Sequence, residues 1–197
     1  MRRRDILAAL ADEREQLVRD LAEIPVTDWD RPSLCAGWAV RDVVGHLLRV
    51  EGMYRYGAPF FIGLLRSGFR INAFIANDGR RRAAGRPPAE LLSDLAATRY
   101  ETTVGARRHY APAIPLGEWV IHGQDIRRPL GIERSLAQDR LIAVANVLLG
   151  RNGYPWGRRR RPDARFEATD ADWHWGSGEP IRAPLEEIVM RLAGRSV

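Results

Sequence analysis

The sequence contains no lysine: all 31 basic residues are arginine, set against 25 acidic ones for a net charge of +6. That bias fits a GC-rich, actinobacterial genome better than a chemical demand. It still has a physical meaning, because arginine grips carboxylates and phosphates through two parallel N–H bonds. Cysteine is nearly absent as well. Cys35 stands alone, which rules out an intrachain disulfide and every cysteine-rich zinc site. Any metal site must draw on carboxylates and on four histidines, His46, His109, His122 and His174. No apolar run approaches the roughly 18 residues of a membrane span. Arg2, Arg3 and Arg4 could open a signal peptide, but Asp5, Asp12, Glu13 and Glu15 follow too soon for an apolar stretch behind them. These absences describe a soluble, cytoplasmic protein.

What is present suffices for a core. Hydrophobic residues make up 45% of the 197 and charged residues 28%, the balance of one folded domain with room for a small appendage. Ile6, Leu10, Leu17 and Leu21 recur at helical spacing, and Pro25 ends that helix. A turn-rich loop through Trp38 precedes a second helix starting near Val40, which carries His46. Further helices are expected from Phe60 to about Asn77, from Pro88 to about His109, from Leu116 to about Arg128 and from Leu136 to Leu149. The stretch from Arg80 to Pro88 reads as a basic linker, and Pro129 with Gly131 as a helix stop. After Gly150 the pattern changes. Arg165–Thr169 and Trp173–Trp175 alternate like strands around Asp170-Ala171-Asp172, suggesting a hairpin. Pro184 opens a last helix that Gly194 stops. The expected division is 1–150, a helical bundle, and 151–197, a hairpin-plus-helix appendage.

Glu118 and His122 are four residues apart on a predicted helix. Four residues turn a helix by about 400°, so both side chains project from one face, one turn apart. Together with His46 from another helix they would offer a metal three ligands and leave a position open, as in catalytic zinc sites. Spacing alone also allows a surface glutamate and a core or capping histidine.

Two longer stretches weigh in. Leu34-Cys35-Ala36-Gly37-Trp38-Ala39-Val40-Arg41-Asp42-Val43-Val44-Gly45-His46-Leu47 and Glu118-Trp119-Val120-Ile121-His122-Gly123-Gln124-Asp125-Ile126-Arg127-Arg128-Pro129-Leu130-Gly131 resemble the two signatures of the mycothiol-dependent maleylpyruvate isomerase family, within the DinB-like superfamily. The tail from Asp170 to Arg195 is similar to the small C-terminal α/β appendage of many members. The resemblance covers most of the chain. It implies a mainly α fold, a DinB-like four-helix bundle with that appendage, and a divalent metal, zinc first, on His46, Glu118 and His122. It further implies a small thiol cosubstrate, mycothiol, and isomerisation or S-transfer on a small, acidic substrate. A catalytic arginine follows the first histidine helix in the family; Arg70, Arg80, Arg81 and Arg82 are all candidates here, and none aligns. Ala39 stands where members often carry a Ser or Thr cap, which costs the helix about 1 kcal/mol, while Asp42 still favours its positive end.

Other residues have plainer readings. Asp125 could orient His122, but pairing with Arg128 or Arg41 is preferred. Cys35 reads as a small buried apolar residue rather than a nucleophile. His109 reads as a structural cation near a helix end. His174 should face away from Trp173 and Trp175. The run Arg158–Arg161 reads as a solvated loop. Two other classes stay open: a non-catalytic metal sensor or partner-binding bundle with the same ligands, and an arginine-rich nucleic-acid binder whose affinity would fall steeply with salt.

Overall fold

The computed structural model describes residues 1–52, 70–98, 113–150 and 164–196, with 62, 65, 66 and 68 between the first two stretches. The fold is mainly α, with a small three-stranded sheet near the C-terminus. Among the described residues the helices are α1 (Arg3–Glu23), α2 (Val40–Gly52), α3 (Ile71–Ala83), α4 (Pro88–Ala97), α5 (Ala113–Leu130), α6 (Gln138–Leu149) and α7 (Leu185–Leu192). No described helix is long and apolar enough to cross a membrane.

The chain forms two compact units. One comprises Ala11–Ala111 and His122–Glu133, the other Met1–Leu10, Pro112–Ile121 and Arg134–Val197. In the first unit, α2 packs on α3, on α4 and on a 3-10 turn at Val26–Asp30. Val40, Val43, Val44 and Leu47 form the fully buried stripe of α2, the i, i+3, i+4, i+7 pattern of a helix with one face in a core. Ala39 gives α2 no side-chain cap. Instead the Ala39 N–H donates to Asp42 Oδ2 at 3.0 Å, so half of a capping box survives. Gly45 lies against Gly79 of α3, where a Cβ on Gly45 would run into the Gly79 carbonyl. The two backbones therefore touch, and α3 sits directly beside His46.

The helix α3 runs further than the sequence suggested. Arg80, Arg81 and Arg82 are helical, not linker. Asp78 is the reason: it accepts bonds from Arg81, three residues on, and from Arg82, four on, at 2.9 Å, pairs that a helix brings together. It also meets buried Arg49 of α2 at 3.5 Å. Gly85, at φ +69, makes the turn that follows. The part of the Phe60–Asn77 expectation before residue 70 lies largely outside the described residues. The helix α4 stops at Ala97, with Thr98 extended, instead of continuing; the expected stretch on to His109 lies outside the described residues, as does Arg158–Arg161. Conversely α5 begins at Ala113, because Pro115 sits in a first turn whose N–H groups need no helical partner.

In the second unit α6 packs on α7, and α7 on the sheet. The strands β1 (Ala164–Ala168) and β2 (His174–Trp175) form the expected hairpin. A third strand, β3 (Glu179–Ala183), pairs parallel to β1, giving the order β2-β1-β3. Its Pro180 is tolerated because β3 is an edge strand. Ala164, Phe166, Ala183 and Ile188 make the buried centre, flanked by Trp173 and Trp175. Pro184 cannot cap α7, so the Asp170 carboxylate accepts the Leu185 N–H at 2.8 Å. His174 is exposed, paired in register with Glu167.

Candidate metal centre

Residues 31–38 run between the 3-10 turn and α2, and they are fastened to α5. Proline at 129 lies in the last turn of α5 and has no N–H to send back to the Asp125 carbonyl. That carbonyl instead accepts the Leu34 N–H at 3.0 Å. The Arg31 guanidinium donates to the Pro129 carbonyl at 2.9 Å, and Arg80 Nη2 to the Gly37 carbonyl at 2.7 Å. Three bonds thus fix the loop that presents Cys35 and Trp38.

The side chains of this unit converge where the loop, α2 and α5 meet. The rings of His46 and His122 lie 4.8 Å apart, edge to face. Trp38 stacks parallel to His122 at 6.3 Å and meets His46 edge-on at 5.5 Å. Glu118 stands one turn before His122 on the same continuous helix, which alone sets its position. Within this unit His46 and His122 thus face each other, and Glu118 reaches them only through the helix it shares with His122. The three residues are 6%, 7% and 6% exposed. Two buried imidazoles that face each other, with a buried carboxylate one helical turn from one of them, are the donor types a divalent ion such as zinc takes.

Asp125 shows the orienting contact that the sequence reading ranked second. Arg41, one of the two arginines preferred as its partner, forms an ion pair with Asp30 at 2.7 Å. Asp125 Oδ2 lies 2.8 Å from His122 Nδ1, and the residue is wholly buried. A carboxylate on Nδ1 favours the tautomer with the proton there, which leaves Nε2 as the nitrogen that could take an ion. Cys35 is corrected. Its thiol is half-buried and donates to Asp125 Oδ2 at 3.0 Å, with His122 Nδ1 at 3.6 Å. Nothing local in the sequence links position 35 to 125. The signal was the helical spacing of Asp125 from His122, and the link to Cys35 needs the long-range anchor at Leu34.

Of the candidate arginines, Arg81 and Arg82 serve Asp78, and Arg80 holds the Gly37 turn. Arg70 is exposed immediately before α3.

No curated protein matches the sequence significantly. Two solved structures share its fold: the mycothiol-dependent maleylpyruvate isomerase, with a TM-score of 0.65, and a histidine-to-alanine mutant of it, with 0.63. Each is 15% identical, and each match covers 100% of this chain and 90% of the other. Residues 10–113, over half of the chain, match the model of the mycothiol maleylpyruvate isomerase N-terminal domain. With its DinB-like helical fold and the conjunction of Trp38, His46 and His122, the chain belongs to the mycothiol maleylpyruvate isomerase family.

Proposed function

We propose that this protein is a thiol-dependent metalloenzyme, an isomerase or S-transferase, that holds one divalent ion on His46, Glu118 and His122. The observation that carries the proposal is the meeting of the buried His46 and His122 rings at 4.8 Å, with buried Glu118 one turn before His122 on the same helix. Zinc is the ion the donor set suits best. When bound, such an ion lowers the pKa of a coordinated thiol or water. The cosubstrate is a small thiol, mycothiol by family, and the second substrate is small and acidic.

The protein's own residues prepare the chemistry. Asp125 fixes the tautomer and direction of His122 through Nδ1. Trp38 packs against both histidine rings, edge-on to His46 and stacked on His122. Gly45 and Gly79 let α3 close against α2 at His46. As ligands, His46, Glu118 and His122 are not available as general bases. A thiolate that adds to an activated double bond leaves a single bond free to rotate; elimination then returns the thiol and the isomerised product. Retention of the adduct is S-transfer. The cytoplasmic setting and the 1–150 and 151–197 division belong to the same proposal.

The nucleic-acid alternative would rest on Arg80–Arg82, of which Arg81 and Arg82 pair with Asp78, and on Arg158–Arg161, which lie outside the described residues. The test of the main proposal is metal content by elemental mass spectrometry, on the untagged protein and on His46→Ala, Glu118→Ala and His122→Ala. About one ion per chain, lost in each variant that still folds by circular dichroism, supports it. Unchanged binding in all three, or none after reconstitution, overturns it. A metal-loaded protein with no turnover of any thiol and unsaturated acid would be the sensor instead.

A further inference from the structure

A second group of donors lies on the opposite side of His122. Cys35 Sγ, Asp125 Oδ2 and His122 Nδ1 are separated by 3.0, 3.6 and 2.8 Å. Their grouping meets the spacing of a metal-binding triad. Ligands around a tetrahedral zinc-like ion, with bonds near 2.0–2.3 Å, stand about 3.4 Å apart. The triad is therefore slightly contracted, as expected of groups now held together by protons. Removing two protons and spreading the donors by about half an ångström would make a three-ligand site. Asp125 is fully buried and Cys35 half-buried, so the triad has one face toward entry.

We propose that Cys35, His122 and Asp125 form a second metal position, one that takes a thiophilic divalent ion such as cadmium or zinc in place of the first. Sulfur makes this set softer than two imidazoles and a carboxylate, so it favours thiophilic ions. Binding releases the Cys35 proton to solvent, and the His122 proton moves from Nδ1 to Nε2. A neutral imidazole has one lone pair, so His122 serves one position or the other, never both. Occupation of the second position therefore withdraws His122 from His46 and Glu118. The triad does not depend on the first site being occupied or catalytic; it shares only the His122 ring with that proposal.

The single cysteine makes the test clean, because any thiolate–metal signal must come from Cys35. Cadmium chloride is titrated into metal-free protein and into the His46→Ala, Cys35→Ser, Asp125→Asn and His122→Ala variants. The readouts are the ultraviolet thiolate-to-cadmium band and protection of the thiol from a chromogenic disulfide reagent. The His46→Ala protein, with the first set crippled, is expected to show the full band at one ion per chain and a protected thiol. Cys35→Ser loses the band entirely. Asp125→Asn and His122→Ala bind roughly tenfold or more weakly, since losing a ligand costs at least what losing a ligand's support does. No band in His46→Ala at saturating cadmium overturns the proposal. So does a band of unchanged affinity in both Asp125→Asn and His122→Ala, which would mean a thiol binding cadmium by itself. Failure of the first site leaves the His46→Ala result intact, so the two proposals fail separately.

Discussion

Gly45 of α2 and Gly79 of α3 meet backbone to backbone, one residue from His46. A Cβ at Gly79 would sit 3.0 Å from the Asp42 carbonyl and 3.4 Å from the His46 Cβ. At Gly45 there is no room at all, since the obstacle is backbone rather than a movable side chain. Gly45→Ala is expected to force the helices apart and cost about 1–3 kcal/mol, the usual range for overpacking. A lowered urea midpoint at unchanged m would show it. A midpoint within error of the wild type would mean that α3 slides without cost.

Asp125→Asn keeps the shape of the side chain and removes its charge. The Leu34 anchor is untouched, because it uses the Asp125 backbone carbonyl. The loss falls on the orientation of His122. Metal affinity, measured by competition with a chromogenic chelator, is expected to drop about 10–100-fold. Secondary structure should stay the same. Equal affinity in the variant would show that His122 needs no help to point.

Arg127 is wholly buried, and its Nε meets Asp20 of α1 at 2.6 Å. Its two Nη atoms have no hydrogen-bond partner among the described residues, so Asp20 carries much of the compensation. Asp20→Asn leaves the guanidinium charge without it. Breaking a buried pair from one side costs on the order of 3 kcal/mol, toward the low end here because Asp20 is 22% exposed. Thermal unfolding reads the loss directly. A change under about 0.5 kcal/mol, as for an ordinary surface site, would sink this account.

In the C-terminal sheet, Arg182 donates to Glu167 at 2.8 Å. That bond, foremost, holds the Glu167 carboxyl below its ordinary value, against desolvation and aided by Arg165 and His174. A depressed folded-state pKa stabilises above the unfolded-state value and loses that contribution as pH falls through the folded one. The wild type should therefore lose more stability than Glu167→Gln between about pH 5 and pH 3. Parallel acid titrations of the two would show no difference if the pair contributes nothing.

Much of the fold was legible because it depends on local pattern. The stripe Val40, Val43, Val44, Leu47 gave α2, and Pro184 with Gly194 bounded α7 to within a residue. Other elements hid behind misleading composition. Arg80–Arg82 looked like a linker until Asp78 supplied partners at helical spacing. Pro180 and the glycines before it concealed β3, whose place depends on pairing with β1. At the site, the residues His46, Glu118 and His122 stood out through the two family signatures. Cys35 did not, because its contact with Asp125 is made across 90 residues by a loop anchored on a carbonyl. No periodicity encodes such a contact.

The proline in the last turn of α5 has a consequence for access. Since Pro129 can never reclaim the Asp125 carbonyl, lifting the loop strands the acceptor of a residue that is itself fully buried. Such a stranded group costs about 1–3 kcal/mol. Lifting the loop that carries Trp38 is thus opposed from the helix side, by a hydrogen atom that proline does not have. A residue with an N–H at 129 would give the carbonyl a fallback and lower that cost.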